Sequence, residues 1–127
     1  MSTRGRIAIK RKDGSYLSVY HHSDSYPEYL GKLLINHYND EQKLLDAIML
    51  GDSSAWNETI EENVYYGRDH GEQNTQPLVS LTIQDLLDDG TSSWEQYVYV
   101  RENAEWTMFD SNRRKHNLTQ YIAKNFV

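Results

Sequence analysis

Apolar and polar residues alternate near the start of the chain, and this pattern predicts a β-hairpin. A period of two over residues 6–12 places Ile7 and Ile9 on one face of a half-buried strand. The dipeptide Asp13-Gly14 is a strong signal for a tight turn. Residues 15–20 alternate again, so we expect them to return as the second strand.

The apolar spacing then changes to three and four, which predicts two consecutive helices. Asp24 or Ser25 is expected to cap the first helix, and Asn39 or Asp40 to cap a second one that ends near Gly51. The first helix is expected to bury a stripe that includes a core histidine: Leu30, Leu33, Leu34, His37 and Tyr38.

The middle of the chain has shorter patterns. Residues 52–62 and 68–76 are predicted to be polar loops around a short strand at 63–67. An apolar run at 78–81 precedes one or two helical turns at 82–89, which Gly90 is expected to end.

A second hairpin and a last helix are predicted near the end of the chain. Residues 96–101 form the clearest strand of this half, and residues 105–110 are expected to be its partner. Asn117 is placed to cap a helix over residues 118–125. Because the strands are joined by hairpins rather than regular βαβ crossovers, we predict an α+β fold in one domain, 1–127. It would be an antiparallel sheet with an N-terminal pair of helices and a C-terminal helix packed on it.

Composition and charge narrow the functional classes. The chain has 10 Tyr, 3 Trp and no Cys, and its net charge is −6. Residues 40–110 hold 16 acidic residues but only three basic ones. An acidic protein binds nucleic acid poorly in general, although it can occupy a basic groove on another protein. The alternative is an acidic surface that serves solubility. We expect a cytoplasmic protein without a membrane segment.

The first candidate site is the turn that follows the first hairpin. It concentrates groups that bind metals, move protons or stack on ligands, and strand alternation sends His21 and His22 to opposite faces, so only one can reach a given site. A metal, an anion at the helix start, or a purely structural role all remain open. The residues of this candidate site are Tyr20, His22, Asp24, Tyr26 and Glu28.

The second candidate site is a charged segment after the middle strand. Tyr66 is followed by Arg68, Asp69 and Glu72. An arginine beside aromatic rings can clamp a phosphate or stack on a base. The alternative is an internal pair between the arginine and a carboxylate. No P-loop, dinucleotide-binding fingerprint, HExxH or nucleophile elbow is present, which leaves ordinary enzyme classes with little support.

The first 75 residues or so resemble a group of small, mostly uncharacterised bacteriophage accessory proteins. The resemblance rests on an S-T-R start, a Y-x-H-x-D-x-Y-P-E motif at 20–28, an H-Y helix end at 37–38, L-G-D at 50–52 and R-D-x-G-E at 68–72. It implies a viral protein in an infected bacterium, of the counter-defence or host-takeover kind. Such proteins act by binding, for example as anti-CRISPR inhibitors or as nucleotide sponges.

Three functions follow as expectations. The first is direct inhibition of a bacterial immune effector, CRISPR-type or otherwise nucleic-acid-handling, by protein binding. The second is a sponge for a small ligand or nucleotide that uses both candidate sites. The third is a small hydrolase or nuclease built on His22 and Asp24. We expect the chain not to be an enzyme, to need no cofactor or metal, and to bind neither nucleic acid directly nor a membrane.

Overall fold

Eight strands form one sheet in the computed structural model, which describes residues 3–126. The strands are β1 Gly5–Lys10, β2 Tyr16–His21, β3 Ser53–Ala55, β4 Val64–Tyr65, β5 Leu78–Ser80, β6 Tyr97–Glu102, β7 Glu105–Phe109 and β8 Lys115–Asn117. They lie in the order β4-β3-β2-β1-β6-β7-β8, and β5 pairs with β2.

The helices fill the connections between the strands. A π-helical turn, Pro27–Gly31, leads into α1 Lys32–His37, and the others are α2 Glu41–Met49, α3 Tyr66–His70, α4 Ile83–Ser92 and α5 Leu118–Asn125. Asp40 caps α2, and Asn117 caps α5 by accepting a hydrogen bond from the Gln120 N–H at 3.0 Å. Both caps confirm the sequence predictions.

The sheet is mixed, so the prediction of helices and strands in one α+β unit is confirmed, whereas that of a purely antiparallel sheet was wrong. The β1–β2 and β6–β7 hairpins are antiparallel, as expected. At the centre, however, β1 and β6 run parallel, with Gly5 opposite Tyr97 and Ile9 opposite Arg101. The long connection over residues 22–96 brings β6 back beside β1. The turn signals within each hairpin do not predict that crossover.

One face of the sheet carries the larger core. Residues of the sheet, of the α1 and α2 region and of α5 form a single buried cluster around the fully buried Trp56. Their burial supplies the main driving force for folding. Its sheet members are Ile7, Ile9, Leu17, Val19, Tyr99, Trp106 and Met108, and its helical members include Leu34, Leu44, Ile48 and Leu118.

The opposite face is also covered, so the prediction of a half-buried first strand was wrong. Leu86 and Leu87 of α4 pack there against a second cluster that includes Ala8, Val98 and Val100. Even Arg6, expected to face solvent, is only 6% exposed. A strand at the centre of a sheet with helices on both sides is buried on both faces, which alternation alone does not predict.

Several local predictions were wrong because turns shift the phase of a pattern. The wide π-helical turn rotates the stripe, so Leu34 and Tyr38 point inward while the His37 side chain is 36% exposed, with its Nε2 3.7 Å from Glu58 Oε1. Residues 68–76, predicted as loop, begin within α3. The predicted loop over 52–62 contains β3. The helix predicted to end at Gly90 continues to Ser92.

None of the helices in residues 3–126 is long and apolar enough to span a bilayer.

Candidate functional site

The first candidate turn is organised around His21, whose ring is completely buried. Its Nε2 accepts the Trp56 backbone N–H at 3.1 Å, so the proton lies on Nδ1, which donates to Ser25 Oγ at 2.7 Å. Ser25 Oγ in turn donates to the His21 carbonyl oxygen at 3.1 Å. Burial, with a smaller contribution from His22, lowers the pKa of His21 to about 3. His21 is therefore a neutral structural group.

His22 points to the other face, in the direction that strand alternation predicts. Its Nδ1 shares a 2.7 Å hydrogen bond with the Tyr20 hydroxyl. Burial raises the pKa of Tyr20, and the nearby Tyr66 phenol raises it further while Arg4 opposes the shift. Tyr20 and His22 are thus joined directly by a hydrogen bond.

Asp24, Tyr26 and Glu28 lie on the exposed outside of the turn. Neither Asp24 nor Ser25 caps the first helix, which was a wrong prediction: Tyr26 occupies the cap position without a side-chain hydrogen bond. Asp24 instead adopts a left-handed conformation with φ of 55°, which a short polar side chain tolerates. The Ser25 hydroxyl is hydrogen-bonded to the His21 ring and therefore does not cap the helix.

In the second candidate segment, Arg68 pairs internally. Its Nε and Nη2 donate to the two Asp69 carboxylate oxygens at 3.0 and 3.1 Å, and its Nη1 donates to the Ile60 carbonyl oxygen. Asp69 also accepts the Tyr65 N–H at 2.7 Å. This arrangement matches the structural alternative, in which the arginine stabilises its own segment. Glu72 is exposed, with its N–H bonded to the Tyr66 carbonyl oxygen.

Asp52 joins the two candidate segments, and sequence reasoning did not select it as a site residue. Its Oδ1 accepts the Tyr20 N–H at 2.9 Å, and its carbonyl oxygen accepts the Tyr66 N–H at 3.2 Å. Burial raises the pKa of Asp52, and the Tyr20 N–H and the Arg6 charge oppose part of that shift. A carboxylate directly after a helix-ending Gly51 was the available signal.

A buried ion pair between Arg6 and Glu95 lies on the sheet face of Tyr20 and His22. Together with Ser18 it forms what we name the Arg6 network. Arg6 Nε and Nη2 donate to the two Glu95 carboxylate oxygens at 2.8 and 2.9 Å, and Nη1 donates to Ser18 Oγ at 2.9 Å. Burial raises the pKa of Glu95, while Arg6 opposes that shift. Every Arg6 nitrogen is satisfied, so this network orders the fold rather than offering a vacant site.

The segment over residues 78–94, from β5 to the turn after α4, exposes large apolar side chains and acidic ones, and we name it the acidic–apolar surface. Trp94 is 80% exposed, Leu81 75% and Val79 50%. The aspartates Asp85 and Asp88 are also exposed.

Residues 3–126 contain no group of three or more His, Cys, Asp or Glu side chains placed to hold a metal ion. Two clefts occur at the far end of the sheet, where the first and second hairpins turn, and no predicted site residue lines either one.

Ser2 of the S-T-R motif lies outside the described residues. Searches among protein-family models, curated proteins and solved structures find no match to this chain.

Proposed function

We propose that this chain is a binding protein of the counter-defence or host-takeover kind. It would inhibit a bacterial nucleic-acid-handling effector, such as a CRISPR-type complex, in the cytoplasm of an infected cell. The observation that carries the proposal is the acidic–apolar surface, on which Trp94 is 80% exposed and Asp85 and Asp88 are exposed as well. The surface is suited to a basic, partly apolar groove on another protein.

The apolar part of this surface has the composition of a binding hot spot. Large apolar side chains are exposed along this segment, including Val79 and Leu81 before α4 and Trp94 after it. Tryptophan is enriched among the few residues that dominate binding energy. Trp94 also has a φ of 61°, which is uncommon for a residue with a large side chain. The turn after α4 therefore holds an indole outward at a conformational cost.

The charge on this surface selects the partner. Residues 69–100 contain no Lys or Arg, and the exposed Asp85 and Asp88 give this segment a negative charge, although the Arg113 guanidinium contacts Thr91 and Glu95 at its end. Surfaces that bind nucleic acid are basic, because they neutralise phosphates. Complementary charge accelerates encounter with such a surface and disfavours other partners. The partner that fits is the nucleic-acid groove of the effector.

The test measures binding of purified nucleic-acid-handling effectors by size exclusion and by competition with their nucleic acid. We expect a complex that excludes the nucleic acid and weakens at higher salt. Trp94→Ala should weaken binding at least tenfold, since hot-spot truncations cost about 2 kcal/mol or more. Met49→Ala is the matched control, because Met49 is 58% exposed on α2. An equal effect of both variants, or no complex with any effector tested, contradicts the proposal.

The hydrolase or nuclease alternative stays a prediction with its own test. The geometry that favours it is the 2.7 Å hydrogen bond between His22 Nδ1 and the Tyr20 hydroxyl. A His22→Ala protein that keeps its full biological effect would remove this alternative.

A further inference from the structure

Two clefts meet at the end of the sheet where both hairpins turn, and we name them together the double cleft. The first has a volume of about 580 Å³ and is lined by Lys10, Arg11 and Lys12. The second has a volume of about 470 Å³ and is lined by Ile35 and Trp106. Arg101 and Ala104 line both clefts, which makes them neighbouring lobes. Each volume lies in the range of small-molecule sites.

The residues between the lobes carry buried donors without acceptors. Within residues 3–126, Trp106 Nε1 and Arg101 Nε and Nη1 are shielded from solvent and have no hydrogen-bond partner. Trp106 is only 3% exposed. Leaving such a group unsatisfied costs about 1–3 kcal/mol, so native proteins rarely do so without a reason. Donors of this kind call for a ligand that supplies acceptors.

The fold places these two side chains together. Arg101 on β6 is directly opposite Trp106 on β7, and both project to the face of the larger core. Arg101 Nη2 donates to the carbonyl oxygen of Asn39, between α1 and α2, which fixes the guanidinium at the boundary of the lobes. The donors are therefore part of a rigid scaffold, which is the arrangement that precise recognition requires.

The two lobes differ in character. Besides Arg101, the first lobe carries three cations, opposed by the carboxylates of Glu41 and Glu102. Lys10 is paired with Glu102 at 2.8 Å, and Arg11 Nε donates to Ser15 Oγ, while Lys12 is exposed. The second lobe places the Ile35 side chain and the Trp106 indole among polar residues that include Glu105, Asn117 and Gln120. A ligand that fits has an anionic end and a flat, acceptor-bearing end.

We propose that the double cleft binds a nucleoside phosphate, with its phosphate in the basic lobe and its base in the Ile35–Trp106 lobe. Arg101 lies between the two parts of the ligand, because it lines both lobes. This site is separate from the acidic–apolar surface and from both candidate segments chosen from the sequence. The inference therefore stands whether or not the chain inhibits an effector.

Calorimetric titration with the four ribonucleoside 5′-monophosphates and with inorganic phosphate tests the proposal. We expect at least one nucleotide to bind with a Kd below about 1 mM and to bind at least tenfold more tightly than inorganic phosphate. Arg101→Met should weaken that binding at least tenfold. Arg114→Met is the matched control, since Arg114 is exposed and lines neither lobe.

Other outcomes overturn the proposal. If no nucleotide binds below about 1 mM, the double cleft is not a nucleotide site. If inorganic phosphate binds as tightly as the nucleotides, the basic lobe is an anion site and the base lobe is wrong. Trp106→Phe provides a second variant in case Arg101→Met unfolds. It removes one orphan donor and should weaken nucleotide binding severalfold while leaving phosphate binding unchanged.

Discussion

The Arg6 network and the double cleft each contain an arginine of the same sheet, and the two guanidinium groups differ in how many of their nitrogens have hydrogen-bond partners. Arg6 lies on one face, 6% exposed, and every nitrogen of its guanidinium donates to Glu95 or Ser18. Arg101 lies toward the opposite end of the paired strands β1 and β6, with two buried nitrogens that have no partner in residues 3–126. Density of polar groups therefore does not identify a site. A buried group that is left unsatisfied after folding and also lines a cleft, as in Arg101 and Trp106, is the better guide.

The candidate turn teaches the same lesson. The sequence left His21 open as a site residue and Ser25 as a helix cap, yet the two side chains bond to each other and to the backbone. Three measurements test this contrast between satisfied and unsatisfied groups.

The largest effect is expected from removing the Arg6 guanidinium. Arg6→Met leaves the Glu95 carboxylate buried without its partner, which typically costs about 3–5 kcal/mol. That is a large part of the stability of a small domain. The measurement is the free energy of unfolding by urea denaturation at neutral pH.

The double variant Arg6→Met with Glu95→Met is the control for this effect. It removes both charges, so we expect it to recover much of the lost free energy of unfolding. A single Arg6→Met variant as stable as the natural chain would contradict the view that this network is fully committed to the fold.

Acid should unfold the protein through His21. The folded-state pKa of His21 is about 3 because the ring is buried, whereas an unfolded histidine titrates near 6.5. Between these values the unfolded chain binds the additional proton. The free energy of unfolding should therefore be complete above about pH 6.5 and fall by about 1.4 kcal/mol per pH unit below it.

His21→Gln separates this contribution from that of the carboxylates, since an amide both donates and accepts but does not titrate. Urea denaturation between pH 6.5 and pH 4.5 should give a shallower slope for the variant, by about 1.4 kcal/mol per pH unit. Parallel slopes for the two proteins would show that His21 does not control the acid response.

The smallest effect is expected from Arg101. Arg101→Met removes two donors that have no partner and one bond to the Asn39 carbonyl oxygen, so stability should change by no more than about 1 kcal/mol. Thermal unfolding of this variant beside Arg6→Met measures the contrast directly. A loss as large as that of Arg6→Met would mean that Arg101 is structural and would weaken the ligand proposal.

Local order was predictable from the sequence, whereas long-range pairing was not. Asn117 and Asp40 were identified as caps because the signal lies within a few residues of the helix that it starts. The parallel pairing of Gly5 with Tyr97 depends on contacts across most of the chain. No periodicity reports such contacts, and the burial of Arg6 follows from them.

The candidate sites were predictable only in part. Alternation correctly separated His21 from His22: His21 bonds to Ser25 and to the Trp56 N–H, whereas His22 bonds to the Tyr20 hydroxyl. The commitment of Arg68 to Asp69 and to the Ile60 carbonyl oxygen depends on backbone positions that the sequence does not reveal. Arg101 was predicted only as a strand residue. The neighbouring sequence does not indicate that two of its nitrogens lack hydrogen-bond partners.

The central position of β1 also has a consequence for how the chain is made. Its partner on one side, β2, follows after a short loop, but its partner on the other side, β6, is separated from it by most of the sequence. During synthesis at about 5–20 residues per second, the β1 edge stays open for several seconds, until β6 emerges. Non-local pairing of this kind slows folding to milliseconds or longer, and an open edge invites pairing with other chains. Truncation before β6 should therefore yield an aggregating fragment rather than a stable half.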